Sequence, residues 1–148
     1  MNTTIHASAV LVGAKAVLIR GPAGAGKSRL AWDLIEAGRQ GLLPFARLVG
    51  DDRIHIEAQH GRLLVKPAPV LAGLLEIRGL GIRRVPHEPV AAVGLLVDLA
   101  AEDAARLPDP EALETELGGI TLPRLSVSTG HPPLPLVLAA LGTQAAAD

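Results

Sequence analysis

The chain has 148 residues, a length that fits one domain with a core of its own. Apolar residues make up 49% of it, but only one Phe, one Trp and no Tyr are among them, so the core must be built from Leu, Val, Ile and Ala, and a base-stacking surface for nucleic acid is excluded. The net charge is −1 with no basic run, and there is no cysteine, which removes an electrostatic footprint for DNA or RNA, disulfides, thiolate metal sites and a Cys nucleophile together.

Met1–His6 carries no basic stretch followed by an apolar run, and no segment approaches the roughly 20 apolar residues of a membrane span. A soluble cytoplasmic protein with no membrane contact is expected. Val10–Val12 and Ala16–Ile19 read as two short strands joined around Gly13-Ala14, the second ending at a glycine-rich stretch. Lys27–Ala37 reads as a helix with Leu30, Ala31, Leu34 and Ile35 on its apolar face, stopped by Gly38. Gln40–Leu48 begins as a loop and leads into a strand over Ala46–Val49, which carries the chain to Gly50-Asp51-Asp52.

Ile54–Ala58 and Leu63–Lys66 form a hairpin pattern with His60-Gly61 at the turn, and Pro67 and Pro69 break any ladder beyond it. Leu71–Ile77 is apolar and runs into Arg78-Gly79-Leu80-Gly81-Ile82, whose two glycines argue against a helix interior. Ala91–Leu99 reads as a buried strand. Ala100–Leu107 and Pro110–Leu117 read as short helices, the second closed by Gly118-Gly119, and Leu134–Leu141 as a last helix before a tail, 143–148, that is expected to fray. No repeat or linker divides the chain. The fold class expected is α/β, a central sheet flanked by helices.

Gly21, Pro22, Ala23, Gly24, Ala25, Gly26, Lys27 and Ser28 match G-x-x-x-x-G-K-[ST] in full, between an expected strand and an expected helix. Small residues let the backbone N–H groups wrap a phosphate at the helix N-terminus; Lys27 adds a mobile cation, and the Ser28 hydroxyl suits a magnesium ion. A nucleoside triphosphate, ATP with Mg2+, is the expected ligand. Such a site also needs an acid near the metal and a group to activate the acceptor. Asp51 and Asp52 offer both, since adjacent residues point in different directions, although a solvated turn would use the same residues. Asp98 ends the run Val93–Val97 as a strand-end acid of the generic metal-side kind, or simply as a helix cap. Glu76 and Arg78 bracket Ile77 and would share a strand face, as a metal and a phosphate ligand or as a surface ion pair. His55, His60, His87 and His131 share no metal-ligand spacing, and His6 precedes the first strand expected.

Leu74-Leu75-Glu76-Ile77-Arg78-Gly79-Leu80-Gly81-Ile82 resembles the signature segment of the bacterial HPr kinase/phosphorylase family. His6, the glycine-rich loop and Asp51-Asp52 stand in the family's order and spacing, so that the resemblance spans about 5–141 and one catalytic domain, 1–148, of the compact alphaproteobacterial type without the N-terminal domain of long members. It implies a core similar to that of phosphoenolpyruvate carboxykinase. It also implies phosphorylation of a serine on HPr, a phosphocarrier of the sugar or nitrogen phosphotransferase system, with ATP or pyrophosphate as donor. Removal of that phosphate by inorganic phosphate, releasing pyrophosphate, and a hexameric assembly complete the family picture. Position by position, Lys27 would be catalytic, Ser28 and Glu76 would hold magnesium, and Asp52 or its neighbour Asp51 would deprotonate the acceptor serine. His6 would tune the aspartates, Arg78 would serve within the signature, and Arg106, in Ala105-Arg106-Leu107, would be the later catalytic arginine.

The chain departs from the family at Gly50, where alanine is usual and a small-for-small change should be harmless, and in an insertion around Gln40–Phe45. Ser128-Thr129-Gly130-His131-Pro132-Pro133 stands where long members carry an arginine tied to dephosphorylation, so kinase activity is better supported than phosphorolysis. The stretch between Ile82 and Ala91 is trimmed where long members engage HPr. Two other functions fit the loop: a small-molecule kinase, for which 148 residues leave little room for a lid, and a non-catalytic ATP-sensing module, which would not need paired aspartates.

Overall fold

In the computed structural model, which describes residues 2–146, the chain forms a mixed α/β domain with a large sheet and few helices. Eleven strands are β1 (Asn2–Ile5), β2 (Ser8–Val12), β3 (Lys15–Arg20), β4 (Ala46–Gly50), β5 (Ile54–Gln59), β6 (Arg62–Pro67), β7 (Leu74–Ile77), β8 (Gly81–Arg84), β9 (Ala91–Leu99), β10 (Glu114–Leu117) and β11 (Ile120–Val127). The two α-helices are α1 (Lys27–Arg39) and α2 (Pro133–Gly142). The main sheet runs β1-β5-β6-β9-β3-β2-β4, with β11 also pairing with β9 and β10 with β11; β7 and β8 form a separate two-stranded ribbon.

β9 is the hub. Along one side it runs parallel to β3; on the other it meets antiparallel β6 at Ala91 and Ala92 and parallel β11 from Leu96 to Leu99. A strand covered on both faces reads as a continuous apolar run, which is why Ala91–Leu99 is legible as buried. Side-chain alternation splits β3 between two cores. Val17 and Ile19 face α1 and α2 in one core; Ala16 and Leu18 face Ile54, Ile56, Leu63, Val65 and Leu122 in the other. Among the described residues no helical residue contributes to that second core, so there the sheet carries helices on one face only, and the expectation of a sheet flanked by helices is corrected. The β5–β6 hairpin replaces the second helical layer.

α1 runs past Gly38, the expected stop, because Gly38 lies against β4: a Cβ there would meet the Ala46 Cβ at 2.7 Å. The chain turns instead at Gly41, whose φ of 81° suits glycine, while the Leu42 N–H donates to the Ala37 carbonyl at 2.9 Å. Gly50 is likewise no neutral replacement for alanine here, since an added Cβ would meet the Ile54 Cδ1 at 2.7 Å and the Pro67 Cα at 3.1 Å.

Two expected helices are absent. The stretch 100–107 is turn and bend, with Ala100 at φ 54°. Pro110–Leu113 makes a single 3-10 turn, and Glu114–Leu117 is β10, joined to β11 by Gly118-Gly119 with φ of 60° and 81°. Positive φ at both turn residues is the signature of a two-residue hairpin rather than a helix stop. β1 lies ahead of His6, which therefore sits between β1 and β2 rather than before the first strand. Of the tail, residues 147 and 148 lie outside those described.

Candidate functional site

The parallel strands β3, β4, β9 and β11 all end at one edge of the sheet, and antiparallel β2 begins there. Ligands of open α/β sheets bind at such an edge. From β3 the chain enters Gly21–Gly26, packed so closely on β9 that a Cβ on Gly21 would meet the Leu99 Cβ at 3.1 Å. Gly24 and Gly26 take φ of 81° and 99°, which only glycine adopts cheaply, and Gly26 caps α1 in the left-handed conformation. The first turn of α1 has neither a side-chain cap nor an acid, so its N–H groups and the positive end of its dipole stay open to the cleft. The Lys27 ammonium rests on the carbonyls of Gly21 at 2.8 Å and Pro22 at 3.2 Å.

A bulge in β4 shifts the register between Ala9 and Val10, bringing Asp51 to the sheet edge opposite the start of β2. Asp51 is 5% exposed and takes three donors. Ser8 Oγ donates to Oδ1 at 2.5 Å, Ser28 Oγ lies 2.8 and 2.9 Å from Oδ1 and Oδ2, and the Glu76 N–H donates to Oδ2 at 3.3 Å. Asp52, at φ 69°, turns the other way and is exposed. The two acids do diverge, one into the protein and one into the cleft.

The cleft, about 930 Å3, gathers His6, Lys27, Ser28, Asp52, Glu76 and Arg78 with the loop residues Gly21, Pro22, Ala23, Gly24 and Gly26. Arg78 begins the turn between β7 and β8 instead of sharing a strand face with Glu76, yet both reach the cleft. Ser8 and Trp32 also line it and were not singled out in the sequence. Trp32 sits off the apolar face formed by Leu30, Ala31, Leu34 and Ile35, and Ser8 stands ahead of the strand expected over Val10–Val12, so neither carried a signal.

Arg106 is not among the residues lining the cleft: it is exposed on the bend after Ala105. Asp98 is not there either. Arg20 Nε donates to its Oδ1 at 2.8 Å and Arg124 Nε to its Oδ2 at 2.6 Å, and Arg124 also bonds Asp103, Ser126 and the Ala112 carbonyl. Burial opposes ionisation of Asp98, but the hydrogen bonds from Arg20 and Arg124 outweigh it and hold the carboxyl below its ordinary 3.8. The metal-side reading of Asp98 is replaced by that of an ion-pair centre clamping the ends of β3, β9 and β11. Replacing Asp98 with Ala is expected to cost about 2 kcal/mol at neutral pH, read by chemical denaturation. Because the folded value is depressed, that contribution is complete above 3.8 and lost as pH falls through the folded value, so the two proteins' stabilities should converge in acid.

Fold and site together define an α/β domain whose open, glycine-rich helix N-terminus faces carboxylates across a cleft, an arrangement suited to holding phosphates. Residues 1–88 match the family model for the HPr Serine kinase C-terminal domain, and the chain belongs to that family. Among similar proteins, an HPr kinase/phosphorylase of Geobacillus thermodenitrificans is 34% identical over 140 residues, covering 85% of this chain and 42% of that protein. One from Streptococcus thermophilus is 42% identical over 82 residues, 55% of this chain and 24% of that protein. The chain thus spans less than half the length of these relatives. The Hpr(Ser) kinase/phosphatase structure from Coxiella burnetii superposes with a TM-score of 0.73 at 27% identity, covering 95% of this chain and 93% of that one. The matched residues 1–88 hold His6, the loop, the aspartates and the β7–β8 ribbon; Arg106 and His131 lie beyond them. No helix among the described residues is long and apolar enough to cross a membrane.

Proposed function

We propose that this chain is a protein-serine kinase that transfers the γ-phosphoryl group of ATP to a serine of an HPr-like phosphocarrier. The observation that carries the proposal is the pairing of Asp51 with Ser28 beneath the loop while Asp52 stands in the same cleft. The loop N–H groups and Lys27 would hold the phosphates, as expected of a P-loop. Lys27 would leave the carbonyls of Gly21 and Pro22 to do so.

Among the described residues no three His, Asp or Glu side chains form a ready-made metal cage. Magnesium does not require one, because it keeps waters and substrate phosphates as ligands. By donating its proton to Asp51, Ser28 leaves its oxygen lone pairs free, and the Glu76 carboxylate lines the same cleft, so the hard oxygen donors fit Mg2+. When bound, the ion would neutralise charge on the bridging phosphate oxygens. Asp52 would accept the proton of the acceptor hydroxyl as its oxygen bonds to phosphorus and the bond to ADP breaks, the electron pair leaving on the β-phosphate oxygen. His6 and Arg78 would orient Asp52 and the transferred group.

The naming of the relatives supports HPr as the acceptor and phosphorolysis as a second activity. Pyrophosphate as alternative donor, a hexamer, a cytoplasmic location and the phosphoenolpyruvate carboxykinase-like core rest on the family resemblance. Incubation with HPr, magnesium and ATP should add one phosphate to HPr by intact mass. Added inorganic phosphate then reads the second activity: loss of the phosphate with release of pyrophosphate would show that phosphorolysis runs without an arginine in 128–133, and its retention would leave a kinase alone. ATP binding without any gain in mass would overturn the kinase reading.

A further inference from the structure

We propose that Ser8 is a positioning residue for the metal–nucleotide site, holding the Asp51 carboxylate in the one orientation that presents Ser28 to the cleft. The inference rests on the reading of Ser28 as a magnesium ligand. Ser8 has no exposed surface, and its hydroxyl makes the shortest of the contacts to Asp51. The pair lies 43 residues apart in sequence, across the β2–β4 ladder, and the bulge that follows Leu48 is what brings them opposite each other.

A hydroxyl has one proton, so Ser28 can serve only one Asp51 oxygen at a time. Ser28 stands between the two oxygens, 2.8 Å from Oδ1 and 2.9 Å from Oδ2, and the Glu76 N–H is a long partner of Oδ2 at 3.3 Å, so Ser8, at 2.5 Å from Oδ1, is the one short donor committed to a single oxygen. That anchor fixes the carboxylate plane. It also fixes the side of the Ser28 oxygen that faces solvent. Without Ser8, Ser28 is the only short donor left to either oxygen, and the carboxylate is free to rotate against it and turn the Ser28 lone pairs away. A carboxylate this buried needs its hydrogen-bond donors to stay in place.

The plainer account is that Ser8 satisfies its own hydroxyl inside a core. The two accounts differ in what metal does. Calorimetric titration with ATP in magnesium and in EDTA separates them. Ser8→Ala should raise the dissociation constant in magnesium about tenfold and leave the value in EDTA unchanged. Ser8→Cys fills the position with a slightly larger thiol that is only a weak donor, so it should match Ser8→Ala in magnesium; it carries the test if the alanine variant does not fold. Parallel weakening in both buffers, or a full magnesium effect in Ser8→Cys, overturns the role of Ser8 alone. A wild-type protein whose ATP affinity ignores magnesium overturns the Ser28 reading and this inference with it.

Discussion

Asp52→Asn should lower phosphoryl transfer to HPr by about 10²–10⁴ while ATP affinity stays within about twofold of wild type. Asp52 makes no hydrogen bond that shapes the loop; the side chain that braces Ser28 is its neighbour Asp51. The amide is isosteric with the carboxylate and keeps the backbone turn, since Asn tolerates a φ of 69° as Asp does. What it cannot do is take the serine proton. Rates from phosphoserine by intact mass, with calorimetric ATP binding on the same preparation, make the comparison. Undiminished transfer would assign the proton to another group, and a parallel loss of ATP binding would assign Asp52 to the nucleotide.

Lys27→Ala should cut turnover by about 10²–10³, the cost of removing one preorganised charge from the transferring group. The ammonium is held by two carbonyls of its own loop, so its removal leaves no buried carboxylate unpaired. Stability should therefore hardly change, which distinguishes this variant from Asp98→Ala. Thermal unfolding beside single-turnover kinetics reads both quantities. Wild-type turnover in Lys27→Ala would remove the loop from the chemistry.

Local chemistry explains which parts of this architecture were legible. The glycine-rich loop, α1 and the His60-Gly61 turn depend on residues within a few positions of one another, and each begins where its pattern put it, α1 running only past its expected stop. Pro110–Leu117 misled because Glu, Ala and Leu favour helices, while the competing signal was the two-glycine turn after it, with Glu114 and Glu116 outward and Thr115 and Leu117 inward at strand period. Ala100–Leu107 has good helix formers, but Asp103 is drawn to Arg124 on β11. The roles of Asp98 and Ser8 were hidden for the same reason: their partners lie 78 and 43 residues away. The aspartate pair was visible as chemistry, and its split between an inward and an outward acid follows from adjacency alone.

The 78 residues between Arg20 and Asp98 also bear on the order in which the protein can assemble. β2 and β3 meet through a short turn as soon as they exist, but the floor beneath Gly21 is Leu99. Closing so long a loop costs little extra stability, since each doubling adds only about 0.6 kcal/mol, but contacts of this separation form slowly. At roughly 5–20 residues per second, the ribosome needs several seconds to deliver β9 after the loop has emerged. During that interval the Val17–Ile19 edge of β3 has no partner on its β9 side. The glycine-rich segment is thus made well before the strand that shapes it, and until β9 arrives a nascent chain is open to mispairing along β3.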